Sequence, residues 1–369
     1  MNAEQILERT LGGAIMSVDE AVFLDAEAGT EALRDAAQTL RVRLHGDNTV
    51  TYLVDRNVNY TNVCITDCKF CEFYRPPDHK EAYVLNRGDL RQKLRELVDL
   101  GGTRVLLQGG HHPDLKLDYY TDLLTFIRGE FPELALSAFS PSEIDHIAHV
   151  EGMTVREVLE ALKAAGLDGL PGGGGEILHD EIRKRVSPKK LMSNEWLGCM
   201  REAQELGLVT SCSQVIGFGE NPRHRFEALE ACRDLQTESL AKGNTGFLSF
   251  VMWPLQAESR FGAVFGDRLG YKLGADEDAY LRHVALSRLF LPNIAHIAAS
   301  WPTMGPDIAK KALHFGADDF GSTMMEENVV STAGSTWNCM TEDLICKFIK
   351  EAGFTPQKRD ADYTSLSMA

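Results

Sequence analysis

The sequence predicts an α/β chain folded as a (β/α)8 barrel of the TIM type, with an N-terminal helical extension. Three observations carry that prediction. From about residue 50 onward, strand-like runs alternate with amphipathic helical segments, the pattern of stacked βα units. There are eight such runs, and several are followed by polar or glycine-rich motifs, where this fold builds its sites. A doubly wound open sheet usually has fewer strands and a glycine fingerprint after the first, whereas here the first run ends in cysteines.

Residues 3–45 place Ile6, Leu7, Leu11, Ile15 and later Leu33, Ala37 and Leu40 at roughly helical spacing, so they read as helices covering one end of the core. The expected strands follow at 57–65, 103–109, 134–139, 167–171, 208–216, 246–253, 294–300 and 317–322. Between them DLRQKLRELVDL, TVREVLEALKAA and NEWLGCMREAQEL have the apolar period of helices. The chain therefore divides into a helical extension (1–50), a barrel (51–335) and a C-terminal helix and tail (336–369).

The 369 residues are 44% hydrophobic and 25% charged, the proportions of a globular chain. A formal net charge of −16 argues against a nucleic-acid surface, because a phosphate backbone would be repelled. The densest basic stretch, Arg183 to Lys190, is short and suits one anionic small molecule. No apolar run approaches the ~20 residues that span a bilayer, and Met1–Arg9 lacks the pattern of a secretion signal. These features predict a cytoplasmic protein without a membrane partner, in the compartment where thiolates survive as ligands.

Cys64, Cys68 and Cys71 form a C-x3-C-x2-C array within NYTNVCITDCKFCEFYR. Three thiolates on one short loop can hold three irons of a [4Fe–4S] cluster and leave the fourth iron open. Structural zinc usually has four ligands in two pairs, and no second C-x-x-C pair follows. Disulfide frameworks belong to small secreted chains.

Gln108, Gly109 and Gly110 end the second run. Ser140 and Ser142 follow the third, as ligand contacts or as helix-start residues. After the fourth comes Pro171-Gly172-Gly173-Gly174-Gly175-Glu176, a loop whose amides can face a ligand. Glu176 can accept from an amine or a ribose hydroxyl, and Arg183 can fork onto a carboxylate. Adjacent His111 and His112 read as loop structure. Near the last run Asp319 and Glu326 are the candidate general bases, with Glu327 and Asn328 as substrate contacts. Trp253 can stack on an aromatic ring.

The cysteine spacing, with Phe70 before the last cysteine, resembles the radical S-adenosylmethionine (SAM) superfamily. LLQGGHHPDLKLDYY, LPGGGGEIL, RKRVSPKK and FGADDFGSTMMEENVVSTAG resemble, within it, the cyclic dehypoxanthine futalosine synthase family of menaquinone biosynthesis, over about residues 50–335. Aminofutalosine synthase and the radical SAM halves of 5-deazaflavin synthase share the NYTNVC opening. The resemblance implies a radical SAM barrel in which Cys64, Cys68 and Cys71 hold a [4Fe–4S] cluster. Phe70, Gln108, Gly109, Gly110, Ser140, Glu176 and Arg183 would then meet S-adenosyl-L-methionine, and Trp253, Glu327 and Asn328 the substrate. The implied reaction removes a C4′ hydrogen from a nucleoside-like substrate, and the sugar radical attacks its benzoate ring. An electron donor such as flavodoxin or ferredoxin is implied as a partner.

The chain departs from the expected family pattern at three places. It has Ser137 and Phe218 where histidines are expected, and WPLQAESRFG lacks a second proline. Two other functions compete: a paralogue acting on another nucleoside or aromatic, such as aminofutalosine-type addition, and a non-catalytic iron–sulfur or zinc protein. A binding module has no need of the glycine and Arg/Glu motifs.

Overall fold

The computed structural model describes residues 2–46, 48–256, 266, 273–326 and 328–366. Among them ten strands form one parallel sheet: β1 (Thr49–Leu53), β2 (Asp55–Asn59), β3 (Arg104–Gln108), β4 (Ala135–Ala138), β5 (Gly169–Leu170), β6 (Val209–Ile216), β7 (Phe247–Pro254), β8 (His296–Ala298), β9 (Asp319–Ser322) and β10 (Thr355–Lys358). The order is β10-β1-β9-β8-β7-β6-β5-β4-β3-β2, with β10 at one edge and β2 at the other. β1 and β2 are nearly one run: β1 pairs with β9, and β2 pairs with β3. The chain after β9 closes the circle, with Thr323 N donating to Leu53 O (3.0 Å) and Asn57 N to Met325 O (3.0 Å). The eight-fold barrel predicted from the alternation is the fold observed, with β10 added outside β1.

The strands alternate for two different neighbours. In β6, Thr210, Cys212, Gln214 and Ile216 are buried on one face, while Val209, Ser211, Ser213 and Val215 line the bore. In β3, Val105 and Leu107 are buried, while Arg104, Leu106 and Gln108 look inward. Bulky branched residues usually fill such a bore. Here Ser137, Ser211, Ser213 and Ser249 line it, and it stays open.

Two strands escaped the sequence reading, and one was misplaced. The cysteine run does not stay in the sheet to residue 65, because β2 ends at Asn59. Thr61 Oγ1 donates to Tyr83 O (2.6 Å) and Asn62 Nδ2 to Glu81 O (2.9 Å), which draws the chain into a loop. β1 was missed as too short a pattern. β10 was missed because it contains Pro356, which an edge strand tolerates.

The N-terminal helices Ala3–Leu11 and Val18–Glu27 both start with capping boxes, at Asn2 and Ser17. Val18–Glu27 packs on helix Pro222–Ala241, and Thr30–His45 packs on Glu277–Phe290. Buried Arg41 reaches the amino end of the barrel, donating to Ala317 O (3.0 Å) and Thr49 O (2.7 Å). No helix among the described residues is long and apolar enough to cross a membrane.

Candidate active site

A cavity of about 440 Å³ occupies the bore and its mouth. Strand register divides one wall into layers. Asp55 pairs with Arg104 at the amino end, Asn57 with Leu106 in the middle, and Asn59 with Gln108 at the mouth. Above the mouth, Cys64, Cys68 and Cys71 all line the same cavity.

The cysteine loop is held from several sides. Cys64 N donates to Arg75 O (2.9 Å), Ile65 N to His111 O (3.1 Å) and Lys69 N to Val186 O (3.0 Å). Burial pushes the Cys68 thiol up to about 12 and also raises Cys71, whose sulfur accepts from the Tyr74 and Phe73 amides. Three thiols converging on one cavity, with an ammonium beside them, fit a cluster held by three protein ligands. Phe70 lines the cavity and packs on Phe218, ring centroids 5.2 Å apart. Phe218, where the family pattern led us to expect histidine, is fully buried there.

Gly109 and Gly110 line the cavity and also let the cysteine loop pack closely. A Cβ on Gly110 would lie 2.1 Å from Val63 O, and one on Gly109 2.4 Å from Tyr60 Cζ. Only glycine lets β3's end pass under the cysteines. The turn is pinned by Glu143, which accepts from Gly109 N (2.9 Å), Tyr60 Oη (2.7 Å) and Ser140 Oγ (2.7 Å). Burial drives the Glu143 carboxyl up to about 7 against those three donors. Ser140 caps helix Pro141–Glu151, as a helix-start residue, and it also lines the cavity. Ser142 also lines it, with a buried Oγ that has no partner.

The glycine loop departs from expectation at Arg183. Its guanidinium is fully buried and clamps backbone carbonyls, with Nη2 donating to Gly174 O (3.1 Å), Nε to Leu191 O (2.8 Å) and Nη1 to Gly175 O. It does not line the cavity, so it shapes the loop and does not fork onto a ligand. Lys190 takes the place at the cavity wall, with Nζ 2.6 Å from Glu176 Oε1. Burial lowers its ammonium, but Cys68 and Glu176 raise it more, and it stays charged. Glu176 itself has φ 40°, a left-handed conformation rare outside glycine.

The acidic tail is also corrected. Asp319 opens β9, so it lies at the barrel's amino end rather than its mouth. Both of its oxygens are held by Arg359 (2.5 and 3.1 Å), and Thr51 donates to one (2.6 Å). Glu326 is taken up by Arg56 (2.8 Å) and Lys93 and does not line the cavity. Neither is a free base. Trp253 lines the cavity near the carboxyl end of β7, and Asn328 donates to Asn59 at the mouth (3.1 Å). Glu327 and residues 257–262 of WPLQAESRFG lie outside the described residues.

Sequence reasoning missed Lys190, Glu143 and His111. His111 lines the cavity, stacks on His146 at 4.9 Å, and has its imidazole pushed down to about 3 by burial. His112 is loop structure, as expected, accepting from Asp114 N (3.1 Å). The sequence signal for Lys190 is the basic run Arg183–Lys190, whose two ends face opposite ways, Arg183 to the backbone and Lys190 to the cavity.

Known proteins align with both halves of this site. The radical SAM superfamily matches residues 58–232, and the CofH/MqnC C-terminal region matches 244–369. The chain is 43% identical to cyclic dehypoxanthine futalosine synthase of Halalkalibacterium halodurans, covering 98% of this chain and 95% of that one. It is 37% identical to the Streptomyces coelicolor protein of the same name, covering 98% and 88%. It is 36% identical to 5-amino-6-(D-ribitylamino)uracil–L-tyrosine 4-hydroxyphenyl transferase of Methanopyrus kandleri, covering 100% and 98%. The hydrogenase maturase HydG of Carboxydothermus hydrogenoformans superposes with TM-score 0.73 at 18% identity, covering 98% and 80%. Methylornithine synthase superposes with TM-score 0.72 at 16% identity, covering 95% and 97%. Those two likenesses show the fold.

Proposed function

The chain belongs to the radical SAM family, in the branch that carries the CofH/MqnC C-terminal region, and on that premise we propose that it cyclises dehypoxanthine futalosine for menaquinone biosynthesis. It is an enzyme that depends on a [4Fe–4S] cluster and SAM. The observation that carries the substrate is the 43% identity to a cyclic dehypoxanthine futalosine synthase, which extends through both halves of the chain.

When bound at the mouth, the cluster and SAM supply the radical that takes hydrogen from ribose C4′. The sugar radical would then close on the benzoate ring, and loss of one proton to the protein and of one electron to the oxidised [4Fe–4S] cluster would restore aromaticity. Cys64, Cys68 and Cys71 would hold the cluster. Lys190 would meet the SAM carboxylate, and Glu176 and Ser142 its polar groups. The cavity orients sugar against ring and keeps bulk water out. Glu143 lines the cavity and burial raises its proton affinity, which suits it to receive the released proton. A low-potential donor such as flavodoxin or ferredoxin would deliver the electron, in the cytoplasm where thiols stay reduced.

The test is anaerobic turnover with SAM, reductant and dehypoxanthine futalosine. The product should be two hydrogens lighter, and deuterium from C4′ should enter deoxyadenosine. Deoxyadenosine formed only at the substrate-free level overturns the reading. The transferase relatives favour a second reading, aryl addition to another nucleoside, and product from tyrosine and a ribitylaminouracil in the same assay would select it.

A further inference from the structure

The bore does not end at an apolar plug. Its amino end is a layer of buried charge, in which Arg104 and Asp55 are cross-strand partners on β3 and β2. Asp55 is fully buried and Arg104 is 21% exposed, lining the cavity. The pair is lopsided. Arg104 Nε (3.1 Å) and Nη2 (2.5 Å) both donate to one oxygen, Asp55 Oδ2, while Oδ1 accepts from Met324 N (3.1 Å). Nη1 of Arg104 has no partner among the described residues. The neighbouring pair is complete by comparison, since Arg359 spends all three nitrogens on Asp319 and Asp360 O.

One layer above, Asn57 lines the cavity, and its buried Oδ1 has no hydrogen-bond partner. A buried polar atom without a partner is costly unless something else satisfies it. An amide can present either its oxygen or its NH2 to a ligand. Arg104 thus offers its Nη1 to a bore whose charged lining of Asp319 with Arg359 at this end is already paired, and with the Asn57 amide turned to present its NH2 the two make a receptor for a carboxylate.

We propose that Arg104, with Asn57 above it, binds the aryl carboxylate of the substrate at the floor of the barrel, leaving the sugar at the mouth beside the cysteines. This rests on the proposed substrate, whose benzoate supplies the carboxylate. The span suits it: from Arg104 to Gln108 β3 rises about 13 Å, enough to seat the ring below the mouth. Anchoring at the far end fixes the ring's depth, and so its position against C4′.

The test measures equilibrium binding to cluster-loaded, SAM-bound enzyme under anaerobic conditions. The probes are dehypoxanthine futalosine and its counterpart with a carboxamide in place of the carboxylate. Wild type should prefer the acid by roughly ten- to hundredfold, the range of a charge-assisted hydrogen bond. Arg104→Gln should lose that preference, Arg104→Lys should keep part of it, and neither should alter the spectroscopic change that SAM causes at the cluster. The double variant Asp55→Asn with Arg104→Gln leaves no unpaired buried charge, and the same loss is expected of it. A preference that survives in both Gln variants, or equal binding of the two probes by wild type, overturns the site while leaving the substrate standing. Wild type that binds neither probe overturns the substrate reading, and the site's ligand with it.

Discussion

Lys190 Nζ lies 2.6 Å from Glu176 Oε1 on the cavity wall, while the Glu176 Oε2 to Arg183 contact is 3.5 Å and wholly buried. One carboxylate therefore joins a cation that faces the ligand to a cation that faces the backbone. The two cations should fail differently when removed. Lys190→Gln should weaken SAM binding roughly ten- to hundredfold, with cluster assembly nearly unchanged. Arg183→Ala should instead lower the melting temperature, because it strands the buried carbonyls of Gly174, Gly175 and Leu191. Calorimetry and SAM titration on the same two variants separate the roles. Equal loss of SAM affinity without destabilisation in Arg183→Ala would return it to the ligand.

Replacing Cys64, Cys68 or Cys71 by alanine should abolish the cluster. Anaerobically reconstituted wild type should hold about four irons, and its reduced spectrum should shift with SAM. Cys212 and Cys232 are buried away from the cavity, and alanine there should leave iron content unchanged. SAM cleavage by the triple variant would refute the assignment.

Asp319→Asn should be a stability variant. It leaves Arg359 buried without its counter-ion, a loss of about 3–5 kcal/mol that chemical denaturation would read. Glu326→Gln touches a pair that is partly exposed and should cost about 1 kcal/mol or less. Turnover per folded, cluster-loaded molecule should survive both. A specific collapse of turnover in either would reinstate it as the base.

Two buried carboxyls give opposite pH dependences. Glu143 holds its proton up to about 7 in the fold, against an ordinary value of 4.5, so its share of stability is full below 4.5 and falls as pH rises to about 7. Asp318 is held below its ordinary 3.8; burial opposes this, but Arg288 and His296 prevail. Its share is therefore present above 3.8 and is lost as pH falls through the acid range. Stability against pH should lose its 4.5–7 decline in Glu143→Gln, and Asp318→Asn should flatten the acid limb. Unchanged profiles would show that these groups do not titrate as the structure requires.

What could be read from sequence followed from spacing. Cys64, Cys68 and Cys71 needed only a local loop, and the β3 to β9 strands needed only alternation, so both were legible. What failed depended on depth along the barrel axis. Asp319 and Glu326 lie seven residues apart in one acidic run, yet one sits at the amino end of a strand and the other leaves the cavity. Arg183 and Lys190 are likewise seven apart in one basic run, and helix Asp180–Val186 turns the first inward to its own loop. Asp55 and Arg104 drew no attention because nothing local marks a charge that faces another strand across a barrel.

The pairing of β10 with β1 places Arg359 against Asp319, so the floor of the chamber is completed by almost the last described stretch of chain. Strands β1 to β9 all leave the ribosome before it does. Domains tend to form from the N-terminus as they are made, and here that leaves a barrel open at its base until residue 359 arrives. A chain halted before that point would carry its cluster motif on an unsealed vessel. The base is thus closed by a stretch of chain made after every strand that lines the chamber.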